Sequence, residues 1–349
     1  MKRRQFFREA AGGLAGILAI DASARKAAAA AVQNGPIIDF HSHCSIAGVA
    51  EMMGGRSQTG PTTIGPDRLV AMDELGIDIE VLSINPNLYG LDEALAERVG
   101  RVQNEGIAEI CAGYDGRFLG LATLALQYPE LAVKQLEEGV NNLGLCGGSI
   151  GSSVGSEQLG DPKFEPFWAK AEELDVPLWL HPVGIPELQP RLQGNGMLAN
   201  TIGNPVATAI GLGHLIFEGV LDRYPGLKIV SAHGGGYLPA YAPRTDYGCG
   251  TRECGPVPER LPSEYIQDRL FFDSAVFTSE ALRHLIAVSG PSQIVIGTDY
   301  PFSWTFPTRD PRLPRFTPVE HILETPGLSD ADRAAMLGGN AARLLKIPL

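Results

Sequence analysis

Five side chains in this 349-residue sequence combine a chemistry-bearing type with a place at the end of an apolar run. His41 and His43 close Ile37-Ile38-Asp39-Phe40-His41-Ser42-His43, His181 closes Pro177-Leu178-Trp179-Leu180-His181, His233 closes Ile229-Val230-Ser231-Ala232-His233, and Asp299 closes Ile294-Val295-Ile296-Gly297-Thr298-Asp299. On an extended strand, residues i and i+2 point the same way, so His41 and His43 present two imidazoles to one side, half of a zinc site. A lone histidine at a strand end is ordinarily a satisfied polar residue. A carboxylate directly after an apolar strand is costly unless paired or metal-bound. The recurrence of such groups over four strand ends is what points to one site. His41, His43, His181 and Asp299 make a borderline donor set, suited to zinc and tolerable for manganese or iron, with a water completing it. A divalent ion brings the pKa of such a water to about 7, and His233, left over, carries a ring that exchanges protons near neutral pH. One metal is expected rather than two, because the fourth apolar run, Gly147-Gly148-Ser149-Ile150-Gly151-Ser152-Ser153, has no lysine or acid to bridge a second.

These residues need a scaffold that brings separate strand ends together. Eight short strand-like runs are read at 36–40, 79–84, 118–126, 146–151, 176–181, 227–232, 270–275 and 294–297, alternating with longer helical patterns. Eight alternating units without a composition break predict an α/β fold, a single (β/α)8 barrel over residues 32–349. Such a barrel keeps its chemistry at the C-terminal ends of its strands. Pro129-Glu130 and Ser329-Asp330-Ala331-Asp332 read as helix starts. The Pro- and Gly-containing stretches 185–204, 241–262 and 301–317 read as loops that shape the pocket. His214, His284 and His321 fall in predicted helices and read as structural.

Composition narrows the partners. With 28 basic against 40 acidic side chains and a net charge of -12, the chain is suited to neither nucleic acid nor an anionic membrane. Residues 1–31 open on Lys2-Arg3-Arg4-Gln5-Phe6-Phe7-Arg8, continue through the small apolar run Ala10 to Ile20, and end in alanines. They read as a cleaved export signal, too short in its apolar part to span a bilayer. The paired arginines resemble a twin-arginine signal, which exports folded proteins and would place the enzyme in the periplasm, or leave it in the cytoplasm if unused. Export after folding suits an enzyme that takes its metal in the cytoplasm. The five cysteines lack Cys-x-x-Cys spacing and read as free thiols, although Cys249 and Cys254 are close enough in sequence to cross-link in an oxidising compartment.

The stretches Asp39-Phe40-His41-Ser42-His43, Leu180-His181-Pro182, Ala232-His233-Gly234-Gly235-Gly236 and Gly297-Thr298-Asp299-Tyr300-Pro301-Phe302 together resemble the aminocarboxymuconate-semialdehyde decarboxylase family of the amidohydrolase superfamily. The likeness extends over nearly the whole chain beyond the leader. It implies a (β/α)8 barrel, one zinc or similar ion, and non-oxidative decarboxylation of an unsaturated or aromatic carboxylic acid, with the coordinated water and His233 managing proton transfer. By resemblance His41, His43, His181 and Asp299 are the ligands, His233 is the acid/base, and Asp299 also assists protonation of carbon. Arg244 matches an arginine that binds the substrate carboxylate, sometimes from the neighbouring subunit, which implies a homodimer. A second substrate-binding arginine has only Arg56 to match it, in a short Gly- and Ser-rich loop. The same atoms suit another reaction class, hydrolysis of a small lactone, ester or amide by a metal hydroxide.

Overall fold

A computed structural model describes residues 35–55, 64–251, 258–302, 310, 312–313 and 315–348. The export-signal reading of residues 1–31, and Arg56, lie outside the described residues. Among the described residues nine strand segments, all paired in parallel, follow one another in chain order: β1 (Ile38–His43), β2 (Ile79–Ser83), β3 (Phe118–Gly120), β4 (Ala122–Thr123), β5 (Gly148–Gly151), β6 (Pro177–His181), β7 (Lys228–Ser231), β8 (Leu270–Asp273) and β9 (Ile294–Val295). β3 and β4 are the two halves of one of the eight expected strands, broken at Leu121, whose N–H bonds Leu82 O. β1 to β3 form one ladder and β4 to β9 another. Main-chain bonds from Phe40 N to Ile296 O, His43 N to Tyr300 O and Asp299 N to His41 O join the last strand to the first.

The pattern of burial follows from this ring. Ile38, Phe40, Val81, Leu121, Trp179, Val230, Ala232 and Val295 form one cluster, and the Phe40 and Trp179 rings, from strands far apart in the order, lie 5.8 Å apart. Such contacts fill the barrel's interior. A larger cluster, including Leu82, Leu124, Ile150, Leu178, Leu180, Ile229 and Phe272, meets the surrounding helices. Two predicted helix starts are realised, with Pro129 opening Pro129–Asn141 and Ser329 capping Asp330–Ala334 through a reciprocal bond with Asp332.

The stretch 239–268 reads as a helical pattern with breaks that also holds the pocket-shaping stretch 241–262, and it is helical over Ala242–Thr251 and Pro262–Asp268. Pro243 and the glycines at 248 and 250 weaken the intrinsic propensity of the first of these helices, so packing rather than composition decides. The structure corrects the free-thiol reading at one position: Cys249 is disulfide-bonded, whereas Cys44, Cys111 and Cys146 are free. Among the described residues no helix is long and apolar enough to cross a membrane.

Candidate metal centre

The register of β1 against β2 shifts between Asp39 and Ser42. This bulge lets Phe40 keep to the interior core with Ile38, while His41 and His43, one step out of phase, also turn inward. Asp39 holds the bulge: Oδ1 accepts from the N–H groups of His41 and Thr298, each at 3.0 Å, and Oδ2 accepts from the Thr298 hydroxyl at 2.6 Å. The strand carrying the two histidines is thereby tied to the residue preceding Asp299.

His181 ends β6, and its Nδ1 lies 3.1 Å from the Pro182 carbonyl, leaving Nε2 for the interior. His233 follows β7 with φ 54°, in the left-handed region. Gly234 and Gly236 share that handedness, and a Cβ on Gly236 would stand 2.2 Å from the Pro205 carbonyl oxygen, so the turn after His233 needs glycine there. Asp299 also has a positive φ, 56°.

The predicted residues converge. Ligand atoms of His41, His181, His233 and Asp299 all lie within 4.8 Å of one another. His43 belongs to the same group, its Nε2 3.0 Å from His41 Nε2 and 3.1 Å from Asp299 Oδ1. Asp299 Oδ1 is also 3.1 Å from His41 Nε2, and its Oδ2 lies 3.5 Å from His233 Nε2. Four of the five are almost completely buried; the His233 side chain keeps 18% of its surface exposed. The Trp179 ring covers His41 at 4.6 Å between centroids, and Phe302 meets His43 edge-on at 5.2 Å.

Burial and mutual charge set the protonation pattern. Burial pushes His41 down, but Asp299 and Asp273 beside it prevail and raise it to about 10. Burial lowers His43 to about 4, against the opposing pull of Asp299. His181 falls well below its usual range, by burial and then by the neighbouring imidazoles. Burial works against ionising Asp299, yet His41 and His233 hold it well below the ordinary carboxylate range. The donor set fits a divalent cation: imidazoles and an ionised carboxylate face inward, and two Nε2 atoms share one Asp299 oxygen and face each other at 3.0 Å. A bound ion would take the place of the proton that Asp299 and Asp273 favour on His41.

The end of β5 supplies no further ligand. Gly151 donates its N–H to the Tyr89 hydroxyl at 2.8 Å, and a Cβ there would lie 2.8 Å from that tyrosine's ring. Tyr89 thus covers the position from which a bridging group for a second ion would come.

Arg244 lies elsewhere, exposed on Ala242–Thr251, where it lines an open depression with Pro243, Tyr247, Gly248 and Thr251. Of the other histidines, His214 and His284 lie in helices and His321 is buried in Pro318–Leu323. Sequence reasoning missed Asp273, at the end of β8, whose Oδ2 is 2.5 Å from His41 Nδ1. Its signal was weaker than that of Asp299, because Asp273 sits inside the run read as 270–275 rather than closing it.

The amidohydrolase family model matches residues 38–347. The chain is 32% identical over 288 residues to a 2-amino-3-carboxymuconate-6-semialdehyde decarboxylase of Dictyostelium discoideum, covering 80% of this chain and 76% of that one. Among solved structures it is similar to 5-carboxyvanillate decarboxylase from Sphingomonas paucimobilis, with a TM-score of 0.79, 26% identity, and coverage of 90% of this chain and 99% of the other. It is also similar to a dihydroxybenzoic acid decarboxylase from Polaromonas, solved with manganese and the inhibitor 2-nitroresorcinol, with a TM-score of 0.77, 27% identity, and coverage of 90% and 98%.

Proposed function

The chain belongs to the amidohydrolase family, and we propose that it is a metal-dependent, non-oxidative decarboxylase of an unsaturated or aromatic carboxylic acid. The observation that carries this reading is the convergence of five donors of which four are buried and one, His233, stays partly exposed. We assign His41, His43, His181 and Asp299 as ligands of one divalent ion and His233 as the acid/base. Zinc suits this nitrogen-rich set, and manganese, present in the Polaromonas structure, is the alternative. When bound, the ion supplies Lewis acidity and fixes the acid's oxygens.

The chain's own residues then carry the proton. In decarboxylation the carbon–carboxylate bond breaks, carbon dioxide leaves, and the carbon that held it ends with a proton in its place. His233, partly exposed and 3.5 Å from Asp299 Oδ2, is placed to deliver that proton with Asp299 behind it. Phe302 and Trp179 add aromatic surface around the cluster.

Arg244 serves as the carboxylate anchor of a partner subunit in a homodimer, its fork suited to bidentate recognition. Its exposure beside the exposed Tyr241 and Tyr247 supports that role. Arg56 is the candidate second anchor. Export to the periplasm by the twin-arginine route is supported by the leader's sequence and by the disulfide at Cys249, which belongs to an oxidising compartment.

The test is carbon dioxide release across a panel of aromatic and unsaturated acids, run beside hydrolysis of small lactones and esters. His233→Ala should keep metal content near stoichiometric while losing most turnover; loss of the metal would make His233 a ligand instead. Turnover of lactones without carbon dioxide from any acid would replace this reading by hydrolysis.

A further inference from the structure

Asp273 is completely buried, and its two oxygens do different things. Oδ2 stands 2.5 Å from His41 Nδ1. Oδ1 accepts from Gly234 N at 2.8 Å and from Ala275 N at 3.2 Å. Gly234 follows His233 directly, so one carboxylate contacts both a proposed ligand and the turn that carries the proposed acid/base. Room for it comes from Gly297: a Cβ on that residue would lie 2.7 Å from Asp273 Cβ and 3.0 Å from both Cγ and Oδ2. Real Cβ atoms essentially never approach so closely, and the obstructing atoms belong to a buried, fully engaged side chain.

A neutral imidazole carries one proton, and the nitrogen that keeps it cannot be a ligand. We infer that Asp273 is a positioning residue that fixes the proton of His41 on Nδ1, leaves the Nε2 lone pair facing His43 and Asp299, and ties that ring to the His233 turn, with Gly297 glycine so that the carboxylate can reach. This rests on the ligand assignment proposed above. It goes beyond it by naming what sets the working tautomer. His41 Nε2 faces the other proposed ligand atoms, His43 Nε2 at 3.0 Å and Asp299 Oδ1 at 3.1 Å, so a cation among them would replace the Nε2 proton and leave the Nδ1 proton donated to Asp273.

Asp273→Asn separates this role from a merely structural one. The amide oxygen can still accept from Gly234 N and Ala275 N, which leaves the NH2 group opposite His41 Nδ1. That ring nitrogen must then accept, its proton moves to Nε2, and the ligand lone pair is lost. Affinity for Mn2+ and for Zn2+, measured by chelator competition, should fall about 10–100-fold, while the metal-free variant unfolds within a few degrees of the metal-free parent. Gly297→Ala should lower affinity in the same direction. Parental affinity in Asp273→Asn would overturn the tautomer role, and parental affinity in Gly297→Ala would overturn the steric one. If Asp273→Asn does not fold, histidine 15N spectra of the zinc-loaded parent decide: the proton on His41 Nδ1 and zinc on Nε2 supports the inference, and a proton on Nε2 refutes it. Metal affinity needs no substrate, so an absence of carbon dioxide from every acid would end the decarboxylase reading and leave this one standing.

Discussion

On its inner side β1 contributes His41 and His43 to a group of four imidazoles and a carboxylate; on its outer side it contributes Asp39 to a group with Glu80, Arg68 and Thr298. Both are buried. The outer group closes on itself. Arg68 Nε bonds Glu80 Oε2 at 2.7 Å, its guanidinium lies 4.2 Å over the Tyr300 ring, and Asp39 has three donors. One guanidinium nitrogen alone is left over. The inner group does not close, because nitrogen faces nitrogen at 3.0 Å and a single Asp299 oxygen lies 3.1 Å from two rings. Burial and charge therefore do not distinguish a structural cluster from a ligand cluster. Internal pairing does: a group that satisfies itself holds the fold, and one whose donor atoms converge on one another suits a cation.

The largest break of this contrast is Asp299→Ala. It should cost about a thousandfold or more in turnover and most of the bound metal, read by steady-state rates and elemental analysis, with secondary structure intact. On the outer side Arg68→Ala strands the buried Glu80 and should cost about 3–5 kcal/mol in urea unfolding, with metal stoichiometry unchanged. The paired change Arg68→Met with Glu80→Leu should recover most of that loss, since replacing a whole buried pair by apolar groups is often neutral. No such paired replacement inside the ring should restore metal binding.

Removing the metal with a chelator should lower stability by about 3–4 kcal/mol relative to protein held at a few hundred- to a thousandfold excess over the dissociation constant. The shift should vanish in Asp299→Ala. The smallest effect concerns Asp39, which burial and then Glu80 raise to about 7. Between about pH 4 and pH 7 the folded chain keeps a proton that the unfolded chain has released. Stability therefore declines as pH rises through that window. The metal-loaded parent should lose roughly 1–3 kcal/mol between pH 4.5 and pH 7.5 that Asp39→Asn does not lose, compared by urea midpoints.

The inner group was legible because its members end apolar strands, a place where polar side chains require a reason. Asp273 escaped because the run 270–275 reads as one continuous strand, which hides the acid inside it; the observed strand stops at Asp273 itself. The Arg68–Glu80 pair escaped for another cause. Arg68 looks like the polar face of a helix and Glu80 like the polar phase of a strand, and only the packing of Pro66–Leu75 on β2 makes both interior. The bulge in β1 was equally invisible, although it lets Phe40 and His41 both face inward. Alternation alone would have sent one of them outside.

The bonds that join residues 296–300 back to β1 have a consequence for the life of the chain. Donors on His41 and on Asp299, 258 residues apart in the chain, meet only when that seam is made. A nascent chain that has not yet delivered residues 296–300 lacks part of the donor set proposed for the cation. Capture of a cation by the full set therefore waits on closure of the seam, and the compartment in which the seam first forms decides which ion is on offer.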